Sequence, residues 1–166
     1  MQSVSLIKQQ SKTIPDRLFY QFNRQNDESI DSYEFGKIKQ FRMFDTKSGK
    51  LLGEMDVKPC KPLTSVSFDL KTPSLYINYL RAFQKQAGVG TDFIKFAHNI
   101  SKQAGCEGHL HLHAAKLSSE QTYPHVFYRK QGFKTQSKLT NLILDFCILF
   151  GIRETKRIKR IMGMYK

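Results

Sequence analysis

The fold is decided by one stretch of the sequence, Lys85-Gln86-Ala87-Gly88-Val89-Gly90-Thr91, which lies between a strand pattern and a helix pattern. Glycines at such a junction let the backbone approach a ligand closely and turn several N–H groups toward one point. The positive end of the following helix dipole adds to this effect, so a pyrophosphate is a natural ligand. The same spacing also suits a tight strand-to-helix turn without a ligand. The stretch is neither a P-loop nor a complete dinucleotide fingerprint.

The sequence before this stretch has the alternation of β-strands. The segments EFGKIKQFRMFD (34–45) and KLLGEMDV (50–57) flank the turn-rich TKSG, which predicts a β-hairpin. The segment LTSVSFDL (63–70) alternates apolar and polar residues and predicts a half-buried strand, and SLYINYLRA (74–82) predicts the next one. We therefore expect an antiparallel meander of three or four strands.

The sequence after the stretch predicts a helix, a strand and a short helix. Apolar residues recur at helical spacing from Val89 to Ala104, and Gly105 is placed to end that helix. HLHLHAA (109–115) alternates strictly, and Pro124 and Gly132 bound a short helical segment. The order indicates an α/β (α+β) domain with one parallel crossover beside an antiparallel sheet.

The two ends of the chain differ from this core of residues 33–135. Residues 1–32 are expected to form a short N-terminal helix or loop. Residues 136–166 form a basic C-terminal extension that we expect to be helical, because its apolar run is long and Ile158, Ile161, Met162 and Tyr165 lie on one helical stripe. A strand over Asn141–Phe146 is the alternative for the apolar run. A docked terminal helix is the preferred interpretation, and contact with nucleic acid or an anionic membrane is the alternative.

Composition limits the class of protein. The 166 residues suit a single domain, and the 40% hydrophobic content excludes a disordered chain. The net charge of +13 predicts attraction to anions such as nucleic acid, a phosphorylated cofactor or anionic lipid. Three separated cysteines suggest neither a zinc cluster nor a disulfide framework, and no secretory leader is visible, so we expect a cytoplasmic protein.

A second motif lies about forty residues downstream and reads Phe127-Tyr128-Arg129-Lys130-Gln131-Gly132-Phe133. Over residues 35–135 the chain has a strand, the glycine turn with its preceding basic residue, a helix, a second strand and then this motif. This order and spacing resemble the GNAT-type N-acetyltransferase superfamily. The resemblance implies a mixed, mostly antiparallel central sheet with a β-α-β-α core. It also implies acetyl-CoA as cofactor and transfer of its acetyl group to an amine.

The resemblance assigns roles to particular residues. The strand before the turn, with Tyr79 and Leu80, runs along the pantetheine arm, and a backbone N–H near Leu80 stabilises the oxyanion. Tyr128 is the general acid that protonates the leaving thiolate. The coenzyme A pyrophosphate is held by the turn residues Lys85, Gln86, Ala87, Gly88, Val89, Gly90 and Thr91.

The family often has a glutamate as general base on the strand before the turn, and the strand SLYINYLRA (74–82) has none. His109, His111 and His113 share one face of the next strand, and imidazole has a suitable pKa, so His113 is the candidate base. The three residues also fit a structural role as hydrogen-bonded side chains on a half-covered sheet face. No fourth ligand accompanies them, so no metal site is predicted.

The sequence and the resemblance thus favour an acyl-CoA-dependent N-acyltransferase that acylates an amine of a small molecule or a protein. The alternative is a catalytically degenerate domain of the same fold that binds RNA or a protein partner.

Overall fold

The structure is a computed structural model, and it describes residues 7–9, 16–22, 36–84, 87–115, 124–152 and 161–166. Within these ranges it is an α+β fold built on a mostly antiparallel sheet, as the sequence predicts, and this sheet has seven strands. The strands of this sheet are β1 (Ile7–Gln9), β2 (Arg17–Phe22), β3 (Lys39–Asp45), β4 (Leu51–Cys60), β7 (Ser74–Ala82), β8 (Leu110–Ala115) and β9 (Ile161–Tyr165).

The remaining described elements are a small hairpin and three helices. The hairpin consists of β5 (Leu63–Thr64) and β6 (Asp69–Leu70). The helices are α1 (Val89–Gln103), α2 (His125–Lys130) and α3 (Lys138–Leu149). No helix in the described part of the chain is long and apolar enough to cross a membrane.

The sheet order is β1-β2-β3-β4-β7-β8-β9, and every neighbouring pair is antiparallel except β7 and β8. The predicted hairpin is confirmed as β3 and β4. Its buried side chains, Phe41 and Met43 on β3 and Met55 and Val57 on β4, face the core. The predicted parallel crossover is also confirmed, because α1 connects β7 to β8.

Helix α1 covers one face of the sheet, where it packs on β4, β7 and β8. Its predicted apolar stripe is buried, and Phe96 stacks on Phe19 of β2 with ring centroids 3.9 Å apart. The helix ends at Gln103, and Gly105 follows with a φ of 77° that glycine adopts readily. Burial of this stripe against the sheet fixes where the turn that precedes the helix lies.

Three expectations about secondary structure are wrong. Residues 1–32 contain the strands β1 and β2 rather than a helix or loop, because β2 pairs with the free edge of β3. Residues 63–70 are not one half-buried strand. The side chain of Ser65 accepts hydrogen bonds from the amides of Ser67 and Phe68, which turns the chain and leaves Val66 exposed.

The third correction concerns the C-terminal extension. Its apolar run is helical, as predicted, and forms α3. Residues 161–165, however, form strand β9 rather than a docked helix, because the edge of β8 offers unpaired backbone groups and β9 pairs with it from His111–Tyr165 to Ala115–Ile161. Residue 158 of the predicted stripe lies outside the described residues.

Candidate active site

The parallel strands β7 and β8 are hydrogen-bonded over a short stretch. Their register runs from Leu75–Leu110 to Ile77–Leu112 and ends there. Strand β7 nevertheless continues to Ala82, paired to β4 alone among the described strands. Strand β8 continues to Ala115, paired there to β9. Beyond this register the facing edges of β7 and β8 form no ladder bonds to each other or to another described strand.

A β-bulge lies where the two strands separate. Asp56 of β4 pairs with Tyr79, whereas Val57 pairs with Ile77, so Asn78 is an extra residue in β7. Bulges re-aim the backbone and often lie beside active sites. After the bulge the side chain of Leu80 packs against the core. The neighbouring Tyr79 side chain is half-buried on the other face of the strand.

The glycine turn follows directly after β7 and begins α1. Gly88 is the N-cap residue with a φ of 74°, and open space surrounds the position where a side chain would start. The side chain of Val89 is buried in the core, so only its backbone N–H is available to a ligand. Free amides of the first turn and the positive helix end together favour an anion here. Lys85 and Gln86 lie outside the described residues.

Arg17 holds the turn to the rest of the sheet. Its guanidinium donates to the carboxylate of Asp92 in the first turn of α1, at 3.0 Å, and to that of Asp45 at 3.3 Å. It also donates to the backbone oxygen of Ala87, at 3.4 Å. Strand β2 thus positions the glycine turn, a connection across 75 residues of sequence that no local pattern could reveal.

Gly90 and Thr91 contact α2. A side chain at Gly90 would come within 2.8 Å of the ring of Phe127, so glycine is needed there for close packing of the helices. Thr91 accepts a hydrogen bond from the side chain of Gln131, at 3.1 Å. These contacts bring the glycine turn and the FYRKQGF motif together.

Tyr128 is largely buried, at 9% exposure, and belongs to the main core. Its ring makes edge contacts with Phe127 and Phe133, with centroids 5.1 and 5.6 Å away. The residue therefore stabilises the fold whatever its chemical role. It shares this core with Leu110 and Leu112 of β8. Because side chains alternate along a strand, Tyr128 and His113 lie on opposite faces of the sheet.

The three histidines share one face, as predicted, and each bonds through Nδ1 to a hydroxyl on or beside β7. His109 pairs with Thr72 at 3.2 Å. His111 pairs with the buried Ser74 at 2.8 Å. His113 pairs with the hydroxyl of Tyr76 at 3.2 Å. These cross-strand bonds fix the imidazole orientations at the point where β7 and β8 separate.

The β5–β6 hairpin covers part of this histidine face. The ring of Phe68, only 1% exposed, makes edge contacts with His111 and His113. His111 is consequently buried, whereas His113, at the end of the row, stays exposed. The structure thus divides the histidines, since the rings of His109 and His113 are both hydrogen-bonded and accessible, whereas His111 is buried, and His113 is the one of the two accessible rings that lies where β7 and β8 separate. No group of three or more His, Cys, Asp or Glu side chains in the described ranges could hold a metal ion.

The buried His111 and the partly desolvated His113 both favour the neutral form. Burial, followed by the charges of His113 and Lys58, lowers the pKa of His111 to about 4. Burial also lowers the pKa of His113. A neutral imidazole at neutral pH can accept a proton, which is the form that a general base needs.

The protein should lose stability as the pH falls from about 6.5 to about 4. Unfolded His111 takes up a proton near its ordinary pKa of 6.5, whereas folded His111 stays neutral down to about 4. Stability is therefore complete above pH 6.5 and falls by roughly 3 kcal/mol across this window. Urea unfolding at several pH values measures the slope.

The matched variant is His111→Asn, whose amide can still bond Ser74 but does not titrate in this range. We expect its stability to depend much less on pH between 6.5 and 4, with a remaining slope from His113. Hydrogen bonds lower the pKa values of the Asp45, Asp69 and Asp145 carboxyls. Their contribution to stability is therefore lost mainly below this pH window. Equal slopes in both proteins would contradict the burial of a neutral His111.

No family model matches the chain, and no curated protein is significantly similar to it.

Proposed function

We propose that this protein is an N-acyltransferase that carries an acetyl or other short acyl group from coenzyme A to an amine. The observation that supports this most directly is the separation of β7 from β8 after Ile77 and Leu112, beside the glycine turn. A thioester arm between the two strands would bond to unpaired backbone groups of β7. Its phosphates would then reach the amides at the start of α1.

The chain has the charge that such a cofactor needs. Its net charge of +13 attracts a ligand with several phosphate charges. Arg17 neutralises Asp92, the acid in the first turn of α1, so that this carboxylate does not oppose a bound phosphate. The open space at Gly88 leaves room for the pyrophosphate to approach the backbone.

The reaction would use groups from both faces of the sheet. With its proton on Nδ1, His113 donates to the Tyr76 oxygen and leaves Nε2 free to take a proton from the attacking amine. The new C–N bond forms as the carbonyl becomes an oxyanion, which a backbone N–H near Leu80 stabilises. When the C–S bond breaks, Tyr128 gives its proton to the thiolate and the products are an amide and free coenzyme A.

The glycine turn gives the direct test of cofactor binding. Gly88→Asp should weaken coenzyme A binding at least tenfold, because a carboxylate at the N-cap repels the pyrophosphate. Gly90→Val is a poorer test, since it would collide with Phe127. Isothermal titration calorimetry with coenzyme A measures the loss.

Gly88→Asn is the matched control, because asparagine has the same shape, tolerates a positive φ and carries no charge. It should bind coenzyme A within a few-fold of the unchanged protein, and both variants should melt normally. If the Asp and Asn variants bind equally well, the pyrophosphate does not lie on this turn.

A second candidate function is a non-catalytic binding domain for RNA or a protein partner. The burial of Tyr128 in an aromatic cluster favours it, because a core role alone would account for that residue. Thermal shift with acetyl-CoA and a mobility assay with RNA separate the two candidates. The acyltransferase requires stabilisation by acetyl-CoA together with release of free thiol when an amine is present.

A further inference from the structure

The outward face of α3 is apolar. Helix α3 buries Leu144 and Cys147 against the protein, yet it also exposes large side chains on its other side. Each of these is more than half exposed to solvent. They are Leu139, Leu142, Phe146, Leu149 and Phe150.

These five side chains form one stripe, which we call the α3 stripe. Their positions i, i+3, i+7, i+10 and i+11 fall within a sector about 100° wide on a helix. The rings of Phe146 and Phe150 lie together, with centroids 4.3 Å apart. A contiguous exposed apolar patch of this kind usually marks an interaction surface.

The helix that carries the stripe is firmly held. The side chain of Ser137 accepts from the amide of Thr140 and caps the first turn. Arg129 of α2 forms two hydrogen bonds of 2.7 Å with the carboxylate of Asp145. The stripe is therefore presented on a fixed support.

We infer that the α3 stripe docks the protein on an anionic lipid surface. An interfacial helix buries its apolar side roughly 5–10 Å into the boundary between head groups and acyl chains, while neighbouring cations pair with acidic head groups. Exposed Lys138 is the first residue of α3, exposed Lys134 precedes the helix beside Tyr165 of β9, and Arg129 neutralises the single acid of α3, Asp145. In the sequence, residues 133–166 contain eight Lys and Arg but only two acids, so this C-terminal segment carries the positive charge that attracts anionic lipid.

Other occupants fit less well. A second copy would bring two chains of charge +13 together, which repel each other. The exposed face of a 12-residue helix, roughly 18 Å long, also has a much smaller area than the ~800 Å² that each partner buries in a standard interface. Nucleic acid is bound mainly through phosphates and would leave the leucines of the stripe in water. A bilayer needs no matching shape, and one helix face suffices.

Vesicle sedimentation tests the inference with the full chain. The unchanged protein should sediment with phosphatidylcholine vesicles containing 30% phosphatidylserine, and far less with phosphatidylcholine alone or in high salt. The triple variant Leu142→Gln, Phe146→Gln, Leu149→Gln should bind the anionic vesicles at least tenfold more weakly, since each change removes apolar area from the bilayer. Its melting temperature should be unchanged, because these side chains are exposed.

The matched control is Val66→Gln. Val66 is apolar and 99% exposed, and it lies on the β5–β6 hairpin, far from the α3 stripe in sequence. It should bind vesicles like the unchanged protein. Three results would overturn the inference. They are equal vesicle binding by the triple variant, a dimer that the triple variant dissociates, and a marked fall in its melting temperature, which would show that the chain itself covers the stripe.

Discussion

The Tyr128→Phe variant is expected to lose roughly a hundredfold in kcat while its affinity for acetyl-CoA changes little. General acid catalysis contributes on this order, and without the phenol only water can protonate the leaving thiolate. The ring contacts with Phe127 and Phe133 do not need the hydroxyl, so the fold should be retained. Steady-state release of free thiol with one accepted amine measures the effect.

Two controls separate chemistry from packing at this position. Tyr128→Ala should lower stability by about 3–5 kcal/mol, because it leaves a cavity in the core. An acyl donor whose thiol has a lower pKa needs less help in leaving, so the deficit of the Phe variant should shrink with that donor. Unchanged turnover of the Phe variant with acetyl-CoA would remove Tyr128 from the mechanism and favour the binding domain.

The elements that could be predicted from the sequence are those fixed by local signals. The hairpin of β3 and β4 combines alternating residues with a turn in which Asp45 accepts from the amide of Ser48. Helix α1 has an apolar stripe that continues over four turns. In both cases the residues that specify the element lie within it.

The elements that could not be predicted depend on distant partners. The short segment that forms β2 became a strand because β3 offers it an edge, and its Arg17 reaches Asp92. Likewise, the pairing of Tyr76 with His113 follows from the parallel register of β7 and β8, not from either segment alone. The glycine turn and the shared face of His109, His111 and His113 could therefore be predicted from the sequence, but the contacts that support them could not.

The segment 161–165 shows why a stripe alone was misleading. A run of five residues is too short to distinguish the helical period from the strand period, and Ile161, Met162 and Tyr165 fit a helix. As strand β9 it instead buries Met164 completely, and its backbone bonds continue to Leu110 and Lys134. The unpaired edge of β8 decides between the two structures.

A pair of substitutions in β9 should therefore have very different effects. Met164→Ala should lower the free energy of unfolding by about 2–5 kcal/mol, because Met164 is completely buried and belongs to the main core. Ile161→Ala should cost less than about 1 kcal/mol, since Ile161 is 61% exposed. Urea denaturation followed by circular dichroism measures both values.

The two variants are matched because each loses an aliphatic side chain from the same strand, three residues apart. A docked helix with its apolar stripe through Ile161, Met162 and Tyr165 predicts the reverse order, with the larger loss at Ile161. If residues 161–165 are strand β9, the larger loss is expected at Met164. A variant truncated after Arg160 would then expose the edge of β8 that β9 covers, and it should lose cooperative unfolding. A truncated protein that melts like the full chain would show that β9 does not complete the sheet.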